Sequence, residues 1–252
     1  MKSFNKIDNK LLIINVLFIF FPLSFILGNL FINLNVVLIS IFTYIFFPQK
    51  IWQFKFNLFD KIITLFFIYT FLVLLINFFE ARFDNQNFSS IIINKTILFL
   101  RYYLLYIILR FLVSQNLLKI NWFFISCTFF TIFVCVDIYF QFIFGKDIFG
   151  IQPVTSMRLS GPFGDELIAG GYIQRFYIFS LFALFILNQK KNINRVSIQV
   201  LLFLIFIIGI ILSGNRMPFV LFVFSFFLFF IFEEKIKKYF FLILLFFCLT
   251  VG

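Results

Sequence analysis

Two arginines set in short polar breaks are the residues best placed to do chemistry in this chain. Arg158 lies in Met157-Arg158-Leu159-Ser160-Gly161-Pro162-Phe163-Gly164-Asp165-Glu166-Leu167-Ile168-Ala169-Gly170-Gly171-Tyr172, a charged, glycine-broken stretch between two long apolar runs. Arg216 lies in Leu212-Ser213-Gly214-Asn215-Arg216-Met217-Pro218, a tight turn between two further runs. A guanidinium can hold phosphate oxygens in bidentate fashion, so two fixed cations on one membrane face can bracket a doubly charged leaving group. For Arg158 alone two readings stand side by side: a clamp on a pyrophosphate, and an interfacial arginine paired with Asp165 or with lipid phosphate. Gly161, Pro162 and Gly164 stop a helix before Asp165, and Asp165 with Glu166 suits the first turn of the helix that follows. Pro218 suits the first position of the next helix and leaves Arg216 on the turn.

A second group of charges lies within the apolar runs themselves, where an ionisable side chain is costly and invites a functional reading. Arg101, Asp137 and Arg175 each fall roughly 12–15 Å below the outer surface at 1.5 Å per helical residue. They are expected to share one polar cluster in which Asp137 partly neutralises the two arginines, serving substrate binding or a structural ion pair. Gln141 and Lys146 flank the same outer mouth, while Glu80, Arg82 and Asp84 read as a solvated loop. The sequence holds no P-loop, no glycosidase-like carboxylate pair and no nucleophile elbow. With no histidine it offers no His-based metal site or general base, and no cofactor or metal is expected. Cys127, Cys135 and Cys248 sit inside apolar runs without ligand spacing and read as small core residues.

The elements that must position these groups follow from composition. Hydrophobic residues make up 63% of the 252 residues and charged ones 12%, about half the charged share of a soluble domain, and the mean hydropathy is +1.10. A water-soluble domain is excluded, and an all-α polytopic membrane bundle is expected. Apolar segments near 11–27, 30–47, 62–79, 91–113, 122–144, 167–187, 196–212, 219–232 and 239–252 give about nine transmembrane helices. Most of the 21 basic residues fall in alternate connections: Lys2, Lys6 and Lys10; Lys50, Lys55 and Lys61; Arg110 and Lys119; Lys190, Lys191 and Arg195; Lys235, Lys237 and Lys238. By the positive-inside rule those connections and the N-terminus are cytoplasmic. The charge of +11 is thereby assigned to topology and anionic membrane lipids, not to nucleic acid. The 49 phenylalanines accompany abundant Ile, Asn and Lys, as AT-rich codons dictate, and need no aromatic substrate groove. No small-residue cleavage site follows the first run, so it is a membrane segment and not a cleavable signal. The ninth run is short for a crossing, and the chain reads as a single membrane domain (1–252) cut off at its C-terminal side.

Three stretches resemble the O-antigen ligase and O-antigen polymerase family of bacterial integral membrane proteins. They are Phe21-Pro22-Leu23-Ser24-Phe25-Ile26-Leu27-Gly28-Asn29-Leu30; the stretch from Asp137-Ile138-Tyr139-Phe140-Gln141 through Gly145-Lys146-Asp147-Ile148-Phe149-Gly150 to Arg158-Leu159-Ser160-Gly161-Pro162-Phe163-Gly164; and Leu212-Ser213-Gly214-Asn215-Arg216. The resemblance implies transfer of a glycan from an undecaprenyl-pyrophosphate carrier to lipid A core, a growing O-antigen chain or another acceptor, at the periplasmic face of the inner membrane. It implies no metal or nucleotide sugar, and it implies that Arg158 and Arg216 engage the carrier pyrophosphate. Members of the family generally continue into a large periplasmic loop bearing further Arg and a His, so this chain is expected to be the first part of a longer domain. The competing readings are a transporter or flippase of lipid-linked glycan and a non-catalytic membrane fragment; the internal repeats usual in transporters are not evident.

Overall fold

The computed structural model describes residues 2–83, 89–153, 158–187 and 195–232. Among these residues the chain is helical throughout, with no sheet: α1 (Lys2–Ile19), α2 (Phe21–Ile26), α3 (Asn29–Phe46), α4 (Pro48–Trp52), α5 (Leu58–Phe83), α6 (Ser89–Ser114), α7 (Ile120–Phe144), α8 (Ala169–Leu187), α9 (Arg195–Leu212) and α10 (Arg216–Phe232). Eight of the nine apolar segments coincide with helices. The ninth, 239–252, lies outside the described residues together with Cys248, Asp84, Lys190, Lys191, Lys235, Lys237 and Lys238.

Among the described residues three helices are long and apolar enough to cross a membrane, Asn29–Phe46, Leu58–Phe79 and Ile120–Phe144. The first apolar run is not one helix. It breaks at Phe20, because Pro22 has no N–H to donate back to Phe18 and its ring crowds the preceding turn. The expectation that Asp165 and Glu166 open a helix is corrected: Gly161–Phe163 forms a single 3-10 turn, and α8 starts only at Ala169.

The described residues form two compact units. The first comprises Met1–Phe21 and Asn29–Lys119. Within it α6 packs on α5 and α3, and α3 on α1. Its helices are joined by few but specific polar contacts. Asn15, midway along α1, donates to Leu11 O at 2.8 Å and Leu117 O at 3.0 Å, and accepts from Lys119 N at 2.6 Å. One buried amide thus closes the turn after α6. On the outside, α5 leaves Leu58, Phe59, Leu65 and Tyr69 largely exposed. An apolar surface of that extent suits hydrocarbon and not water.

The second unit comprises Pro22–Gly28 and Ile120–Gly252. Here α8 is central, packed against α7, α9 and α10, and α7 also meets α9. Tyr177 and Phe222 pack at 4.2 Å between ring centroids, and Phe203 stacks on Phe222 at 5.4 Å. Phenylalanine therefore does ordinary packing at the helix seams. Cys127 and Cys135 are free and fully buried, as expected of small core residues. The segment after α1 belongs to this unit: Tyr172 OH donates to Pro22 O at 3.1 Å, and Phe25 meets Phe176 edge-on at 5.5 Å.

If buried polar contacts fix the helices while the apolar exterior is solvated by lipid, Asn15→Ala is the damaging change in α1. It leaves Lys119 N and Leu117 O unpaired at a cost of about 1–3 kcal/mol. Leu12→Ala, at a side chain 60% exposed, shifts stability by less than about 0.5 kcal/mol. Thermal unfolding of the detergent-solubilised chain distinguishes the two.

Candidate functional site

The arginine-bearing loop is a folded structure built on α7. Asp137 and Gln141 lie four residues apart, so they stand on one face of the helix, one above the other. Both are buried. Asp137 Oδ1 accepts the Ile148 amide at 2.7 Å, and Gln141 Oε1 accepts the Gly161 amide at 2.9 Å. The chain leaves α7 at Gly145, whose amide closes on Gln141 O at 2.9 Å. It then turns tightly at Asp147: Oδ1 accepts Ile151 N at 2.6 Å, while Asp147 N donates to Ile151 O at 2.9 Å. Farther on, Gly161 lies flat on α7 with φ +55°, and a β-carbon there would press to 3.0 Å from Ile138 Cγ1. Only glycine meets both demands.

The same loop is joined to the turn that carries Arg216. Leu159 N donates to Leu212 O at 3.3 Å, next to Arg158 on one strand of chain and four residues before Arg216 on the other. Asn215 Nδ2 donates to Leu167 O at 3.1 Å. Gly170, in the first turn of α8, sits directly against Ser213 Oγ and Asn215, where a β-carbon would overlap the hydroxyl. Two segments separated by more than forty residues are thereby held as one surface. Arg158, Arg216, Lys146, Asp165 and Glu166 are all exposed on it. Arg216 is the first residue of α10, not part of the preceding turn, and Pro218 is the third.

Beside this surface the second unit holds a cavity of about 260 Å³. Phe25, Phe163, Tyr172 and Pro218 give it apolar walls, and Arg175 and Asn215 are its hydrogen-bonding side chains. Arg175 is exposed, reaching from α8 into this opening.

The proposed neutralisation of Arg175 by Asp137 is corrected. Among the described residues no ion pair joins them; Asp137 turns to the loop that folds back over α7, and Oδ2 has no hydrogen-bond partner. Gln141 Nε2, Asp147 Oδ2 and Ser160 Oγ are likewise buried without partners. Arg101 belongs to the first unit. There it donates from Nη2 to Tyr102 OH at 2.9 Å, with its guanidinium 4.8 Å from that ring centroid.

Asp60, which no motif in the sequence singles out, accepts from Tyr106 OH at 2.6 Å and Arg110 Nε at 3.3 Å through Oδ1, and from Asn57 N at 2.8 Å through Oδ2. The available signal was the four-residue spacing of Tyr106 and Arg110, which puts a donor pair on one face of α6. A carboxylate in the first turn of an apolar helix was its natural acceptor.

The geometry separates two substitutions of Asp137. Asparagine keeps the acceptor for Ile148 and removes an uncompensated buried charge, so Asp137→Asn melts close to the parent. Asp137→Ala strands the Ile148 amide and costs about 1–3 kcal/mol. Trypsin then cuts faster after Lys146 and Arg158 in Asp137→Ala than in Asp137→Asn, which limited proteolysis measures directly. No family model, curated protein or solved structure matches this chain.

Proposed function

We propose that the chain is the membrane domain of a glycan-transfer enzyme acting on an undecaprenyl-pyrophosphate-linked donor, with its site on the surface formed by the described parts of the 145–168 loop, the Ser213–Asn215 turn and Arg216 at the start of α10. The observation that carries the reading is the Leu159-to-Leu212 hydrogen bond, which ties the Arg158 segment to the Arg216 segment. Two exposed guanidinium groups on jointly held backbone suit a pyrophosphate leaving group, whose charge grows as the bond from the sugar C1 to the phosphate oxygen breaks. The acceptor hydroxyl oxygen forms the new bond to C1. Asp165 and Glu166, exposed on the same loop, offer acceptors for its proton.

The other side chains take different parts in this reading. Asp137 and Gln141 position the loop and do not touch substrate. Arg175 and Asn215 hold polar groups of the donor at the cavity, where the Phe163 ring, backed by its contact with Tyr172 at 5.5 Å between centroids, offers an apolar wall to a sugar face. Lys146 adds a third exposed cation at the rim. Arg101, in the first unit, is left as a contact for the polyprenyl phosphate or for lipid. The acceptor is lipid A core, a growing O-antigen chain or another glycan. The setting is the bacterial inner membrane, crossed about nine times with the N-terminus inside and the arginine loop on the periplasmic side.

The test is turnover by the purified full-length gene product in vesicles carrying the lipid-linked glycan and an acceptor. Release of undecaprenyl pyrophosphate with glycan joined to the acceptor is the expected result. Arg158→Gln and Arg216→Gln each lower the rate about 10²–10³-fold, while Arg158→Lys retains more, keeping the charge without the bidentate fork. Movement of the glycan lipid across the bilayer without release assigns a transporter instead, and no turnover of either kind rejects both.

A further inference from the structure

The first unit contains a cavity of about 500 Å³ that plays no part in the proposed glycan transfer. Its volume is in the range of small-molecule sites, about 300–1,000 Å³. It lies where α4, the 53–57 connection, the start of α5 and the last turns of α6 meet, and its polar wall is formed by Lys50, Gln53, Lys55, Asn57, Arg110 and Gln115. Three of these are cations, and no acidic residue lines the cavity among the described residues.

The cations are held by different means. Arg110 is oriented by Asp60, which takes its Nε at 3.3 Å and leaves the two terminal nitrogens of the guanidinium free of any hydrogen bond among the described residues. Asp60 cannot serve as a floating counter-ion, because Oδ1 is shared by Tyr106 OH and Arg110 and Oδ2 is taken by Asn57 N. Lys50 Nζ rests 5.9 Å from the centroid of the Phe47 ring. The connection carrying Lys55 is fixed by Phe54, which meets fully buried Phe111 edge-on at 6.2 Å and Phe56 at 5.9 Å. The pocket is therefore a braced cationic cup with amide donors at its rim, and the Phe54 ring is its aromatic lining residue. A single carboxylate, already occupied, is set against three positive charges.

Its position narrows the ligand. Asn57 immediately precedes Leu58, the first residue of the candidate span Leu58–Phe79, so the cup stands at the end of a helix that can cross a membrane. We propose that this cavity binds a phosphate ester carrying a polar substituent, with Arg110 holding phosphate oxygens from an Asp60-fixed guanidinium and Lys50 and Lys55 closing on the same group. A guanidinium whose Nε is already engaged still presents a two-pronged edge to phosphate, and an amide rim suits hydroxyls on the substituent. The chemistry is that of a phospholipid headgroup at the interface or of a soluble phosphate ester of similar size.

The full chain in nanodiscs separates these sources. Unfolding midpoints are measured in pure phosphatidylcholine, in phosphatidylcholine with increasing phosphatidylglycerol, and in pure phosphatidylcholine with glycerol 3-phosphate in the buffer. The variant is Lys50→Gln with Lys55→Gln, which leaves the Asp60–Arg110 pair intact; the control is Lys61→Gln with Lys119→Gln, equal in charge change but outside the cup. A saturable rise in midpoint with phosphatidylglycerol, with the half-saturating fraction about tenfold higher in the Lys50/Lys55 variant and unchanged in the control, supports a lipid headgroup. The same pattern with glycerol 3-phosphate supports a soluble ester. No rise with either probe, or a rise weakened equally in the variant and the control, overturns the site.

Discussion

The polar face of the second unit depends on two backbone amides being received by side chains inside a helix bundle. Ile148 lies in the irregular stretch after α7 and Gly161 opens a single 3-10 turn, and their N–H groups must find acceptors once these segments fold against α7. An amide left buried and unpaired costs about 1–3 kcal/mol. Asp137 and Gln141 supply both acceptors from successive turns of one helix. Every later feature of the surface rests on that clasp: the flat approach of Gly161, the Leu159 bond to Leu212, and the joint presentation of Arg158 and Arg216.

The two units share a common economy. Their exteriors expose leucine, isoleucine and phenylalanine over whole helix faces, whereas asparagine, serine, threonine and aspartate are among the most buried residues. Lipid solvates apolar side chains as well as a protein core does, so hydrophobic burial distinguishes little between one helix pairing and another. Polar groups discriminate sharply, since each must be satisfied inside the protein. Asn15 closing the turn after α6, Asp60 gathering three donors, and Tyr172 bonding Pro22 are specific in a way that phenylalanine seams are not.

This explains which parts of the architecture the sequence made legible. Apolar runs of about 20 residues located seven of the described helices within a few residues, because segment length and hydropathy are local properties. The break after Ile19 has a local cause in Pro22, but the position of α2 depends on distant partners within its own unit, Tyr172 and Phe176. At the site, glycine and proline marked the arginine loop, and the turn before Arg216 was equally visible. What could not be read was the partner of each buried charge. Asp137 was assigned arginines because charge attracts charge along a sequence, whereas in three dimensions a returning loop amide reaches it first. The Asp60 group escaped for the converse reason: its two side-chain donors, Tyr106 and Arg110, are about fifty residues away on another helix.

The central claim is that the arginine loop is a fixed part of the fold, held by side chains of α7. Hydrogen exchange of the purified chain in nanodiscs, resolved to the amides of Ile148 and Gly161, measures this most directly. The account predicts exchange at both positions as slow as in the neighbouring turns of α7, with Ile148 protection surviving Asp137→Asn and collapsing in Asp137→Ala. Exchange at both amides as fast as in an unstructured peptide would contradict it, and with it the joint placement of Arg158 and Arg216.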